Sequence, residues 1–210
     1  MNRYDADVFT SIVKYGADNQ RAIASRTGLS LGVVNRSLKD LKDSGYISDD
    51  LKILKPGKEL LDSRKPNNEV ILAAGFGMRM VPINMEIPKG LIQVKGQCLI
   101  ERQIEQLHEA GIKDITIVVG FLKEQFEYLM DKYGVDLVVN ADYSSKNNLH
   151  SVNKIIKKIN NTYIIPCDIW CRENPFSTFE PYSWYMVSAY SILFLNRSLL
   201  PNSGSPRSAP

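Results

Sequence analysis

Three observations predict that this 210-residue chain carries an α/β domain with a mostly parallel sheet, preceded by a small helical domain. From residue 70 onward, β-branched runs alternate with amphipathic helical stretches, an order that builds a parallel sheet covered on both faces. Before residue 63 the apolar residues recur almost throughout at helical spacing. Between the two, residues 63–68 (Ser-Arg-Lys-Pro-Asn-Asn) are polar, contain Pro66 and show no apolar period, which marks a linker.

In the first domain, residues 1–62, Val8, Ile12 and Val13 mark a helix closed near Gly16. Asn19 is placed to cap a second helix that carries Ile23 and Ala24 and stops at Gly28. Ser30 caps a third, with Val33, Val34, Leu38 and Leu41 on its inner face and Gly45 beyond its end. Tyr46-Ile47-Ser48 and Lys52-Ile53-Leu54 flank Asp49-Asp50 as a hairpin, and residues 56–61 read as a closing helix. Helix, helix, turn, helix, hairpin is the order of a winged helix-turn-helix.

In the second domain, residues 69–190, strands are expected at 70–74, 114–119, 135–139 and 162–166. Helices are expected at 99–110, 123–133 and 149–159, the first with Ile100, Ile104 and Leu107 turned inward. Ligands of such sheets gather at the carboxyl ends of the strands, where Gly75, Gly120 and Asp168 stand. Residues 191–210, ending in a Ser/Pro-rich run, are expected to be a disordered tail.

Composition excludes several classes. A formal net charge of +3 does not by itself imply a nucleic-acid partner. Three cysteines (Cys98, Cys167, Cys171) make neither a disulfide framework nor a zinc motif, so reduced thiols and a cytoplasmic location are expected. No apolar run reaches the ~18 residues that a membrane span needs.

The chemistry concentrates at Leu72-Ala73-Ala74-Gly75-Phe76-Gly77-Met78-Arg79-Met80, followed by Pro88-Lys89. An apolar strand runs into two glycines one residue apart, where backbone N–H groups can approach phosphate oxygens closely. Arg79 and Lys89 supply positive charge for a polyphosphate. A dinucleotide fingerprint would need a third glycine where Met80 stands, and a P-loop would need Gly-Lys-Ser/Thr; neither pattern is present. The stretch reads as a nucleoside triphosphate site.

These residues, with Pro88-Lys89-Gly90-Leu91, resemble the signature of Rossmann-like nucleotidyltransferases that activate sugar phosphates, phosphocholine and related alcohols. The spacing of Leu99-Ile100-Glu101-Arg102, Val139-Asn140, Asn147-Asn148-Leu149-His150-Ser151 and Pro166-Cys167-Asp168 is similar to that of bacterial CTP:phosphocholine cytidylyltransferases. The resemblance implies a Rossmann-like nucleotidyltransferase domain behind a winged helix-turn-helix domain. It implies transfer of CMP from CTP to phosphocholine or a similar phosphorylated alcohol, with pyrophosphate released and Mg²⁺ as cofactor.

Backbone groups of residues 72–78 would cradle the phosphates, Arg79 would grip the leaving pyrophosphate, and Lys89 would neutralise charge at the α-phosphate. The resemblance further implies that Asp168 binds Mg²⁺ and that the loop with Asn148 and Ser151 borders the nucleotide. The family closes its metal site with a second aspartate near the domain's end. No Asp follows Ala189 here, so a domain cut short is expected.

Other residues carry plainer readings, some of them two. His108 suits a solvated helix face, and His150 either that or a contact to base or ribose. Tyr182, Trp184 and Tyr185 suit a core strand or an aromatic cage for a quaternary ammonium, with Glu173 and Glu180 nearby. In the first domain Asn35, Arg36 and Lys39 project from the third helix as candidate DNA contacts. Against DNA, residues 1–62 hold ten Lys/Arg and nine Asp/Glu, far from a strongly basic domain, and a protein-contact or dimerisation module is the other reading. The alternatives are a winged-helix transcription regulator with a nucleotide-sensing domain and a sugar-1-phosphate nucleotidyltransferase.

Overall fold

The computed structural model describes residues 1–76, 86–146, 148–187 and 206–208. These divide into two compact units: Met1–Lys65 with Phe179–Tyr185, and a second that begins at Pro66 and runs to Thr178.

The first unit is built from α1 (Arg3–Tyr15), α2 (Gln20–Thr27), α3 (Leu31–Asp43) and α4 (Lys55–Ser63). Side chains set the helix starts. Asn2 and Asp5 form a reciprocal capping box on α1, Asn19 accepts from the Ala22 amide at 2.9 Å, and Ser30 accepts from the Val33 amide at 3.4 Å. Val8, Phe9, Ile12, Ile23, Val34, Leu38 and Leu41 meet in one core, as the helical periodicity requires. The expected hairpin is reduced to a single antiparallel bridge between Ile47 and Ile53. Phe179, from far along the chain, completes this core edge-on to Phe9 with ring centroids 5.7 Å apart.

The second unit holds β1 (Asn68–Ala73), β2 (Gln93–Val94), β3 (Gln97–Cys98), α5 (Leu99–Glu109), β4 (Ile115–Val119), α6 (Tyr128–Tyr133), β5 (Asp136–Val139), α7 (Asn148–Lys154) and β6 (Thr162–Pro166). Four parallel strands lie in the order β5-β4-β1-β6, and β2 and β3 form a separate antiparallel pair. The linker is shorter than expected, because Asn68 already belongs to β1. Along β1, Ile71 and Ala73 face one core with Ile100, Ile104 and Leu107 of α5, while Val70, with Ala74 just past the strand, faces a second core with Ile155. All five residues of β4 are buried, which its unbroken run of apolar and β-branched residues requires.

Two expected helices are shorter than their apolar patterns. Residues 123–133 split into a 3₁₀ turn, Lys123–Phe126, and α6; residues 149–159 split into α7 and a 3₁₀ turn, Ile156–Lys158. Glu69, inside β1, is fully buried, and among the described residues neither carboxyl oxygen has a hydrogen-bond partner. Burial holds its carboxyl well above the usual value of 4.5. Tyr185–Val187 (β7) and Pro206–Ser208 (β8) are short strands. The rest of the segment expected to be disordered lies outside the described residues. Among the described residues, no helix is long and apolar enough to cross a membrane.

Candidate functional site

The strand order reverses at β1: the chain moves outward on one side to β4 and β5, then returns to β6 on the other. A crevice at the carboxyl ends of β1 and β6 follows, the place where open α/β sheets take ligands. Ala74-Gly75-Phe76 leaves β1 there, and Cys167-Asp168 leaves β6. Gly75 is exposed, and among the described residues nothing lies within 4 Å of where a Cβ would stand. Leu72 and Ala73 are strand residues in the sheet ladder, and the Leu72 carbonyl accepts from the Cys167 amide at 3.1 Å. Gly77, Met78 and Arg79 lie outside the described residues.

Lys89 opens a 3₁₀ turn, Lys89–Leu91, and its ammonium donates to the Asp168 carboxylate at 3.2 Å. Two residues 79 positions apart, expected to act on one triphosphate, are thus neighbours. Both remain accessible, with 23% and 41% of their side chains exposed. Gly90 makes the approach possible: an added Cβ would lie 3.1 Å from the Cys167 Cβ. Burial, helped by the Asp168 charge, pushes the Cys167 thiol up to about 12, and burial also raises Cys98 and Cys171. None of the three is poised as a thiolate nucleophile.

The floor beside β4 is equally tight. A Cβ on Gly120 would stand 2.7 Å from the Ala74 carbonyl oxygen and 2.8 Å from the Tyr143 side chain. Here the Phe121 amide donates to Ala74 at 3.3 Å, and the Phe76 and Phe121 rings meet edge-on at 4.5 Å.

Asn140, just past β5, is buried and fully engaged. Its amide donates to the Val119 carbonyl at 2.8 Å, its side chain accepts from the Asp142 amide at 3.1 Å, and its carboxamide donates to the Ser151 hydroxyl at 2.9 Å. Ser151, expected to border a nucleotide, is only 2% exposed, so its hydroxyl faces inward and fastens α7 to the end of β5. Asn148 begins α7. His150 and Lys154 reach Asp142 at 3.0 and 3.3 Å, and these contacts, the histidine's first, lower the Asp142 carboxyl. His150 is therefore turned to a carboxylate of its own loop. His108 departs from the expected solvated face: its Nε2 is buried, with no hydrogen-bond partner among the described residues, and its ring lies against Tyr133.

Helix α5 holds the Asp168 loop from behind, which the sequence reading missed. Gln103, 3% exposed, donates to the carbonyls of Pro166 at 3.1 Å and Ile169 at 2.8 Å. Arg102 donates to those of Cys171 at 2.7 Å and Arg172 at 2.6 Å. The available signal was a glutamine on the inward face of a helix otherwise defined by Ile100, Ile104 and Leu107.

In the first unit, Asn35, Arg36 and Lys39 are exposed on α3, while Lys42 pairs with Asp49 at 3.3 Å. Tyr182 donates to Asp7, and its ring lies under Arg3; Trp184 donates to Glu180 at 2.7 Å. The described contacts of these two aromatics are thus polar and cationic ones inside the helical unit.

A parallel sheet with a glycine loop leaving its central strand, and a lysine–aspartate pair at the switch point, defines a nucleotidyltransferase-type domain. The chain belongs to the MobA-like NTP transferase domain family, whose model matches residues 69–174. A winged helix-turn-helix DNA-binding model matches residues 19–48.

The choline-phosphate cytidylyltransferase of Streptococcus pneumoniae is 49% identical over 107 residues, which is 51% of this chain and 47% of that protein. The 2-aminoethylphosphonate cytidylyltransferase of Lancefieldella rimae is 43% identical over 105 residues, 49% of this chain and 43% of its own. The choline-phosphate cytidylyltransferase of Haemophilus influenzae is 37% identical over 120 residues, 57% and 52% respectively. Among solved structures, a CTP:phosphocholine cytidylyltransferase from S. pneumoniae matches with a TM-score of 0.57 at 44% identity, covering 59% of this chain and 54% of that one. The chain spans about half the length of the curated relatives it matches.

Proposed function

We propose that the second unit transfers CMP from CTP to phosphocholine or a similar phosphorylated alcohol. An oxygen of the acceptor's phosphate attacks the α-phosphorus in line, a new P–O bond forms, the α–β phosphoanhydride bond breaks, and pyrophosphate leaves. Alignment and charge neutralisation carry most of such a reaction. The observation that carries the reading is the Lys89–Asp168 pair at the switch-point crevice beside the exposed Gly75 loop. The choice of CTP and phosphocholine rests on the relatives named above.

Each residue then has a task. The backbone amides of residues 74–78 take phosphate oxygens, and Arg79 binds the departing pyrophosphate. The Lys89 ammonium turns from Asp168 to the α-phosphate, where negative charge develops. Magnesium suits the donor set: Asp168 offers one accessible carboxylate, and Mg²⁺ takes one or two carboxylates, with substrate phosphates and waters completing its shell. Among the described residues, no cluster of three His, Cys, Asp or Glu side chains is arranged to hold an ion. The metal, when bound, neutralises phosphate charge and orients the leaving group. Asn140 and Ser151 act beneath the site by fixing the start of α7.

A panel of nucleotides and acceptors tests this directly. Pyrophosphate release with Mg²⁺, CTP and phosphocholine, exceeding that with ATP, GTP or UTP, is the expected result. Release only with a sugar 1-phosphate would select the sugar-1-phosphate reading. No turnover with any pair would overturn the transferase assignment.

For the first unit we infer a contact with DNA through α3, because Asn35, Arg36 and Lys39 are exposed together on the helix that such folds lay in the major groove. Gel shifts of random duplex DNA, weakened at least about tenfold by Arg36→Ala with Lys39→Ala at low salt, are expected. Unaltered shifts would refute that role.

A further inference from the structure

We propose that Gln103 and Arg102, adjacent on α5, are positioning residues for nucleotidyl transfer, holding residues 166–172 so that the Asp168 carboxylate stands where Lys89 and a divalent cation can reach it. The inference rests on the transferase reading above and assigns tasks to two side chains that touch no reacting atom.

The geometry is specific. Asp168 lies on the exposed turn after β6, and its carboxylate accepts from Lys89. Gln103 supports the backbone on either side. Its two amide hydrogens go to the Pro166 and Ile169 carbonyls, at 3.1 and 2.8 Å, bracketing Cys167-Asp168 on both sides. Its Oε1 is buried and has no partner among the described residues. A buried acceptor left unsatisfied costs free energy, so the side chain is kept for what its donors do. Its orientation is also determined, because a flipped amide would set oxygen against two carbonyl oxygens.

Arg102 extends the hold. Its guanidinium donates to Cys171 and Arg172, at 2.7 and 2.6 Å, while stacking on Trp170 at 4.9 Å. Gln106 adds a bond to Cys171 at 3.3 Å. Four carbonyls of one loop are therefore gathered by one helix face, leaving the Asp168 side chain outward toward Lys89. Pre-organisation of this kind removes an ordering step that would otherwise accompany cation and triphosphate binding.

The test compares the 210-residue chain with Gln103→Met and Arg102→Met. Methionine keeps the length and volume of glutamine, and in place of arginine it keeps the apolar stem without the guanidinium. At neither position does it donate, and Arg102 lies on the partly exposed side of α5, so its variant folds even where the first does not. Hydrogen exchange is read peptide by peptide without ligand, and the Mg²⁺ concentration for half-maximal pyrophosphate release is read alongside. The expected result is exchange in 166–172 faster by tenfold or more, with the sheet peptides unchanged. The Mg²⁺ requirement rises about tenfold, and KM for CTP at saturating Mg²⁺ changes less than twofold.

Gln103→Glu, which sets an oxygen against a carbonyl, raises the requirement further than Gln103→Met. Exchange that rises equally everywhere, or a Mg²⁺ requirement unaltered in Arg102→Met, would overturn the proposal. If the unsubstituted chain releases no pyrophosphate, the transferase reading has failed, and the positioning role falls with it. If it does turn over but 166–172 stays as protected in the variants as before, the positioning role alone has failed.

Discussion

Gly90 and Cys167 touch where a side chain on the glycine has no room: an added Cβ would lie 3.1 Å from the Cys167 Cβ and 3.3 Å from its Sγ. This contact draws the turn carrying Lys89 onto the strand end carrying Asp168.

Gly90→Ala is expected to push the two elements apart by a few tenths of an ångström. Overpacking of this kind costs about 1–3 kcal/mol. Pyrophosphate release is expected to fall about tenfold, because small displacements of aligned groups are felt strongly in the rate. Thermal melts and steady-state rates check both, and an unaltered rate would separate the turn from the chemistry.

Asn140 and Ser151 form a second joint. Asn140→Ala leaves the buried Ser151 hydroxyl without its donor, and Ser151→Ala leaves the Asn140 amide without its acceptor. Each is expected to cost about 1–3 kcal/mol. In the double variant the losses should fall short of their sum by about 0.5–3 kcal/mol, the coupling of the pair. Additive losses in urea unfolding would contradict this.

Glu69 makes stability depend on pH in a definite direction. Burial raises its folded-state value above the ordinary 4.5, so the folded chain keeps a proton that the unfolded chain releases. Stability therefore falls as pH rises from about 4.5 toward the raised folded-state value. Glu69→Met removes that slope and is expected to add about 1–3 kcal/mol near neutrality. Urea titrations across about pH 5 to 8 check it, and parallel slopes for the two proteins would contradict it.

Much of this was legible in the sequence because it is local. Asn19 and Ser30 announce helix starts, Ile100, Ile104 and Leu107 announce a buried face, and the alternation of β4 with its neighbours announces a parallel sheet. Lys89, in the Pro88-Lys89 pair after the glycine stretch, and Asp168, at a strand end, were legible as charges of the right type, and the topology supplied their meeting. What escaped is tertiary. Nothing local at Glu127 or Ile155 ends an apolar period, so the breaks in the two expected helices were not visible. Gln103 is invisible to periodicity, which counts apolar residues, whereas here the polar exception on the buried face has the structural task. The motif position of Ser151 points to the nucleotide, but its burial and its bond to Asn140 turn that hydroxyl inward.

The most direct measurement is pyrophosphate release from CTP, Mg²⁺ and phosphocholine by Lys89→Ala alongside the unsubstituted chain. A loss of about a hundredfold or more, of the size seen when one transition-state donor is removed, is expected, with the melting temperature held within about 2–4 °C. An undiminished rate in a folded Lys89→Ala protein would contradict the assignment of the Lys89–Asp168 pair to the chemistry.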